Sequence, residues 1–103
     1  MLLINFAKHT MGLEKNVWNE NSKVLKEIHL SDTEFNVLKA ISNNRWMTSR
    51  EISEYIWGEY GIENYYKCRY AIGQAVYRMR KKGIEIKSSV GYGYLLKEEI
   101  YIE

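Results

Sequence analysis

The stretch NYYKCRYAIGQAVYRMRKKGI, residues 64–84, holds six of the chain's 15 basic residues and none of its 13 acidic ones. Its bases are Lys67, Arg69, Arg78, Arg80, Lys81 and Lys82, which leaves nine bases against 13 acids elsewhere, a remainder of −4 in a chain of formal charge +2. An advance of ~100° per residue places Tyr65, Cys68, Ala75, Val76 and Met79 within about 60° of Ile72, so the segment predicts an amphipathic helix with one apolar stripe. The opposite face collects Tyr66, Lys67, Tyr70, Gln74, Tyr77, Arg78 and Lys81, a mixture of positive charge, phenol hydroxyls and one amide without a carboxylate. A cationic helix face on an otherwise acidic small protein is the electrostatic footprint of a phosphate-backbone binder. The alternative is a surface helix whose basic face is merely solvated.

Two further helices precede this one. Ser31-Asp32-Thr33-Glu34 matches a capping box, in which an N-cap hydroxyl and a carboxylate three residues on satisfy orphan amide donors reciprocally. Phe35, Leu38 and Ile41 supply the buried side of the first helix, and Ser42-Asn43-Asn44 ends it. Thr48-Ser49-Arg50-Glu51 is a second box, ahead of Ile52, Tyr55 and Ile56, and Trp57-Gly58 closes that helix with a glycine suited to a left-handed cap. Residues 59–64 read as a loop, with Asn64 the N-cap of the basic helix and Gly83 its stop. Gly73 in mid-helix costs roughly 1 kcal/mol against alanine, unless a backbone or ligand approaches closely there. Beyond Gly83, residues 84–88 and 94–96 form a hairpin around Val90-Gly91-Tyr92-Gly93, and 100–102 adds an edge strand. Before the helices, residues 2–6, 15–19 and 24–30 are strand candidates for a small antiparallel sheet, the last two parted by Glu20-Asn21-Ser22.

A length of 103 residues with 46% hydrophobic content predicts a single domain, 1–103, able to bury a core without staples. It divides into an N-terminal sheet (1–30), a three-helix core (31–83) and a hairpin with a last strand (84–103). The lone Cys68 falls on the apolar stripe, so neither a disulfide framework nor a cysteine metal site is expected, and a reducing cytoplasm fits. The apolar opening, Met1 to Ala7, is too short for a signal sequence or a membrane span. The absence of proline and the abundance of Ile, Asn, Lys and Tyr suggest an AT-rich coding genome, as in a low-GC bacterium or its phage.

A sheet, three helices with the third basic, and a hairpin make the α+β arrangement of a winged helix-turn-helix, whose third helix enters the major groove while the hairpin, or wing, touches backbone or minor groove. In order and spacing, residues 30–35 (Leu-Ser-Asp-Thr-Glu-Phe) with Leu38, Ser49-Arg50-Glu51, Trp57-Gly58, the run Arg78-Met79-Arg80-Lys81-Lys82 and Gly91-Tyr92-Gly93-Tyr94 resemble the C-terminal effector domain of OmpR/PhoB-type response regulators. The resemblance covers about residues 24–96. It implies a transcription regulator that binds double-stranded DNA, commonly as a homodimer on direct repeats, with the loop after the second helix available to RNA polymerase. The family's buried recognition-helix positions fall on Ile72, Val76 and Met79, the stripe that periodicity finds on its own. Its base- and phosphate-contacting positions fall on Tyr70, Ala75, Tyr77 and Arg78, and on Ser88 and Val90 at the wing. Arg78 is retained, whereas Tyr70, Ala75 and Val90 stand where the family carries a basic residue, a histidine-like residue and an arginine. No receiver domain with a phosphoacceptor precedes the effector sheet in this sequence, so the expectation is a stand-alone regulator or a mobile-element protein with a changed partner.

The residues expected to bind DNA are therefore Lys67, Tyr70, Gln74, Tyr77, Arg78, Lys81 and Lys82 on the helix (64–82), with Ser88 and Tyr92 on the wing (88–94). Gln74 can bond adenine N6 and N7 and Arg78 can pair bidentately with guanine, each worth ~1–3 kcal/mol of discrimination, unless both meet only solvent or phosphate. Lys67, Lys81 and Lys82 suit phosphate neutralisation, which brings salt-sensitive affinity without sequence choice. Tyr66, Tyr70 and Tyr77 can donate to phosphates or pack on thymine methyls, but exposed helix aromatics also mark protein interfaces. An enzyme is not expected: His9 and His29 have no cysteine or carboxylate at ligand spacing, and the glycine pairs lack the continuation of a nucleotide loop. No catalytic residue, metal or cofactor is assigned. The competing expectation is a phage or mobile-element winged-helix protein that modulates a host protein or ribonucleoprotein complex through its tyrosines.

Overall fold

A computed structural model of the chain describes residues 2–4, 16–21, 24–97 and 100–102. The fold is α+β. Strands β1 (Leu2–Ile4), β2 (Asn16–Asn21) and β3 (Val24–His29) lead into helices α1 (Asp32–Ile41), α2 (Ser49–Trp57), α3 (Glu59–Glu63) and α4 (Tyr65–Lys81). Strands β4 (Ile86–Ser89) and β5 (Gly93–Leu96) form an antiparallel hairpin, and β6 (Ile100–Ile102) follows it. The four-stranded sheet has the order β3-β2-β1-β6, antiparallel except where β6 runs parallel to β1 with Leu2 opposite Ile100. A parallel pair needs a long connection, and here the whole helical region supplies it. The outer parts of two expected strands, residues 5, 6 and 15, lie outside the described residues, as do Ser22 and His9.

The stripe on α4 is buried as its period predicts: Cys68, Ile72, Ala75, Val76 and Met79 face inward, with Tyr65 half-buried at the margin. Ile72, Ala75, Val76 and Met79 join Leu30, Val37, Leu38 and Ile41 around α1, Ile52 on α2, and Ile84, Ile86 and Leu96 from the C-terminal segment in one core. Each fully buried aliphatic side chain is worth ~1.5–3 kcal/mol, so this shared core, more than helix propensity, fixes how α4 sits.

The capping residues differ in an instructive way. At α2 the box is complete: Glu51 N donates to Thr48 Oγ1 and Thr48 N donates to Glu51 Oε1, both at 3.1 Å. At α1 only half of it forms, since Glu34 N donates to Ser31 Oγ at 3.2 Å while the Glu34 carboxylate is buried and turned to Lys82.

Residues 59–63, expected as loop, are the helix α3. A five-residue helix is too short to display a 3.6-residue period, and it forms here because Gly61 lets it lie directly against α2. A Cβ at Gly61 would run into the Ser53 carbonyl, and the buried Ser53 hydroxyl donates to the Gly61 carbonyl at 2.8 Å. Asn64 accordingly does not cap α4 with its side chain; its Nδ2 donates back to the Tyr60 carbonyl at 3.1 Å. Gly83 does end α4, with the Ile84 N–H returning to the Met79 carbonyl at 3.1 Å.

Candidate nucleic-acid interface

Nucleic-acid contact requires cations that are exposed and not already neutralised. On α4 the outward residues are Lys67, Arg69, Arg78 and Lys81 with Tyr66, Tyr70 and Tyr77, the phenols 83%, 71% and 56% exposed. Among the described residues none of these four bases is in an ion pair. The Lys81 Nζ lies 4.7 Å from the Tyr77 ring centroid, a cation–π contact that holds the ammonium at the surface without cancelling its charge. Gln74 is half-buried among them.

Arg80 and Lys82 belong to the same basic run and do something else. The Arg80 guanidinium donates twice to the Ile86 carbonyl, from Nε at 3.0 Å and Nη2 at 2.8 Å, and once to Ser88 Oγ at 3.1 Å. This planar fork ties the last turn of α4 to the first hairpin strand. The Lys82 ammonium donates to Glu34 Oε2 at 2.6 Å and to the His29 carbonyl at 2.8 Å. Glu34 is 3% exposed, and a carboxylate that deep needs a cation beside it. Lys82 is thus set apart from the other nominated residues, directed at α1 and β3. Sequence adjacency to Lys81 hid this, because the partner lies 48 residues away.

The hairpin is seated from a second side. Met47 N donates to the Tyr94 carbonyl at 2.9 Å and Tyr94 N to the Met47 carbonyl at 2.8 Å, joining β5 to the segment between α1 and α2. Gly93, at φ +93°, allows that approach, since a Cβ there would meet the Met47 carbonyl. Tyr92, exposed at the tip, stands 6.1 Å from the Trp46 ring at 49°. Ser88 is exposed and already accepts from Arg80.

Between the start of α2, the first half of α4 and the hairpin lies an open cleft of about 470 Å³. Ser49, Tyr65, Arg69, Ser88, Ser89 and Tyr94 line it, and it contains no carboxylate. Arg50 sits above the Tyr65 ring at 4.5 Å, adding a second guanidinium nearby. The structure therefore brings Lys67, Tyr70, Tyr77, Arg78 and Lys81 onto one helix face, with Ser88 and Tyr92 on the hairpin beside it.

Arg69 and Tyr66 are additions to the nominated set. Arg69 lies ~60° from Ile72 on the wheel, outside the face farthest from the core, and it gains importance only because the hairpin sits on that flank. Tyr66 was on the outer face in sequence, and its exposure now makes it part of the same surface.

Among the described residues no three of His, Cys, Asp or Glu are grouped as a metal site would require, and no helix is long and apolar enough to cross a membrane. Comparison with known proteins finds no matching family model, no matching curated protein and no matching solved structure.

Proposed function

We propose that this chain is a winged helix-turn-helix protein of the OmpR/PhoB type that binds double-stranded DNA sequence-specifically and regulates transcription in the cytoplasm. In this reading α4 enters the major groove, the β4–β5 hairpin is the wing, and two copies occupy directly repeated half-sites. The observation that carries it is the separation of roles among the bases of one helix. Lys67, Arg69, Arg78 and Lys81 stand exposed without carboxylate partners, while Arg80 and Lys82 hold the helix to its supports. Fixed cations on a rigid helix are what phosphate positioning needs. The hydroxyl-lined cleft beside Arg69 offers a path for one strand's backbone.

The test is selection from a randomised duplex library at near-physiological salt, followed by affinity measurement against a salt series. The expected result is a directly repeated motif preferred over non-specific duplex by ~10³-fold or more. The affinity should fall with log salt concentration at a slope of about −0.9 per phosphate contact, and Lys67→Ala should make that slope shallower by about one contact. A flat salt dependence would end this reading.

The exposure of Tyr66, Tyr70 and Tyr77 favours a second reading, in which the same face docks a host protein or ribonucleoprotein complex. Under that reading Tyr70→Ala and Tyr77→Ala outweigh Arg78→Ala in their effect on binding; under the DNA reading the order reverses.

A further inference from the structure

Exposed large side chains also occur outside α4 and the hairpin, where α2 turns into α3. Tyr55 at the end of α2 and Tyr60 and Ile62 on α3 are each about half exposed. Glu54 precedes Tyr55 on α2 and Glu59 and Glu63 bracket Tyr60 and Ile62 on α3, all three exposed and, among the described residues, none in an ion pair. Residues 51–66 contain four acids and no base, and residues 64–84 contain six bases and no acid. The α4 face is the counterpart of this corner, since it too presents three exposed aromatic side chains among unneutralised charges of the opposite sign.

We infer that the α2–α3 corner of one copy docks on the α4 face of another. The corner cannot fold back on its own helix: α4 begins where α3 ends, and its face runs ~22 Å away at 1.5 Å per residue. A second copy has no such restriction. Contact places Glu54, Glu59 and Glu63 against Lys67, Arg78 and Lys81, and tyrosine against tyrosine, the residue type enriched at interface centres. Because the two surfaces differ, a single contact is heterologous and leaves a free corner on one copy and a free α4 face on the other, so assembly proceeds with concentration to a closed ring or an open chain. Its consequence for nucleic acid rests on the reading above: self-association covers the DNA-binding face, and duplex should dissolve the assembly.

Sedimentation velocity of the full chain over a concentration series tests this. Salt should oppose assembly, because the Debye length falls from ~30 Å to ~3 Å between 0.01 M and 1 M. Two surface variants make the test specific. One lacks the corner (Glu59→Ala, Tyr60→Ala, Glu63→Ala) and the other lacks the face (Lys67→Ala, Tyr70→Ala, Lys81→Ala). Each alone should stay monomeric, and their mixture should form a one-to-one dimer and nothing larger. A native chain that stays monomeric at low salt overturns the inference, as does a mixture that fails to pair. The corner variant should bind duplex as the native chain does at concentrations where the native chain is monomeric, and more tightly where the native chain assembles. Self-association that added duplex leaves intact would uphold the contact and count against the DNA reading instead, so the two can fail separately.

Discussion

The corner where α2 turns into α3 and the junction where α4 meets the C-terminal hairpin each depend on one glycine, but they are held by different forces. At the corner backbone lies on backbone, Gly61 against the Ser53 carbonyl with a single buried hydroxyl bond between them, and the carboxylates around it take no part. At the junction the Arg80 guanidinium ties α4 to Ile86 and Ser88, Gly93 seats the hairpin's other side against the Met47 carbonyl, and the neighbouring Lys82 holds the helix end to Glu34 on α1 and His29 on β3. The acidic surface is thus free of structural duty, whereas the basic run is divided between anchors and exposed charge. A charge count cannot separate those two kinds of base; their partners can.

The comparison breaks most visibly at the glycines. Gly93→Ala combines an unfavourable positive φ with a collision against main chain, and is expected to cost about 3–4 kcal/mol. Gly61→Ala has no positive φ to contend with and should cost about 2–3 kcal/mol from the collision alone. Urea unfolding of both variants gives the order, and equal losses would mean that the hairpin tip rearranges at little expense.

Next in size is the contrast between two neighbouring lysines. Lys82→Met leaves Glu34 buried beside no cation. Since the Lys82 side chain is 35% exposed, the loss should be about 2–3 kcal/mol, below the ~3–5 of a fully buried pair. Lys81→Met removes an exposed charge and should change stability by no more than ~0.5 kcal/mol, while weakening any binding of duplex. A stability loss from Lys81→Met as large as that from Lys82→Met would erase the division between anchor and surface base.

These residues also show where sequence reading succeeds. The α4 stripe was legible because Tyr65, Cys68, Ile72, Ala75, Val76 and Met79 recur at helical spacing along a 17-residue helix, and the hairpin because Gly91 and Gly93 flank its tip. The Thr48 box was legible because both of its halves are local. Glu34 matched the same pattern at Ser31, yet its buried carboxylate pairs instead with a half-buried cation 48 positions later. Helix α3 lacked the length to declare itself, and its cause, a close approach to Ser53, is tertiary. On the candidate face, Arg78 and Lys67 were legible from the wheel. Arg69 and Arg80 were not, since their roles depend on which flank of α4 the hairpin occupies.

Gly73 sharpens the contrast from the other direction, because at that point of α4 nothing in the fold requires a glycine. Apart from its chain neighbours and the helix's own backbone, no atom lies within 4 Å of where its Cβ would be, and its φ is not positive. Gly73→Ala should therefore stabilise the chain by about 1 kcal/mol, a rise in Tm of roughly 4–8 °C for a chain of this size. If the α4 face seats its ligand closely, the same methyl should weaken binding while it strengthens the fold, and thermal melts paired with duplex titrations read both effects. Unchanged affinity would place the ligand's closest approach elsewhere on the face.

The smallest effect belongs to Glu51, which stands between the two regions at the start of α2. The Thr48 backbone N–H holds its carboxyl below the ordinary value of 4.5, with the Thr48 side chain and Arg45, 3.7 Å away, acting in the same direction and desolvation opposing them. A carboxyl with a lowered folded-state pKa contributes stability that is present above its unfolded value and is lost as pH falls through the folded one. Glu51→Gln keeps an acceptor for the Thr48 N–H, as capping boxes allow, and gives up only the charge. Its deficit should be small near neutrality and should vanish below the folded pKa, so that native and variant unfolding curves converge in acid. Because Arg45 and Glu51 are both well exposed, added salt should remove the Arg45 part of that deficit and leave the hydrogen-bonded part, which separates the local cap from the surface charge around it.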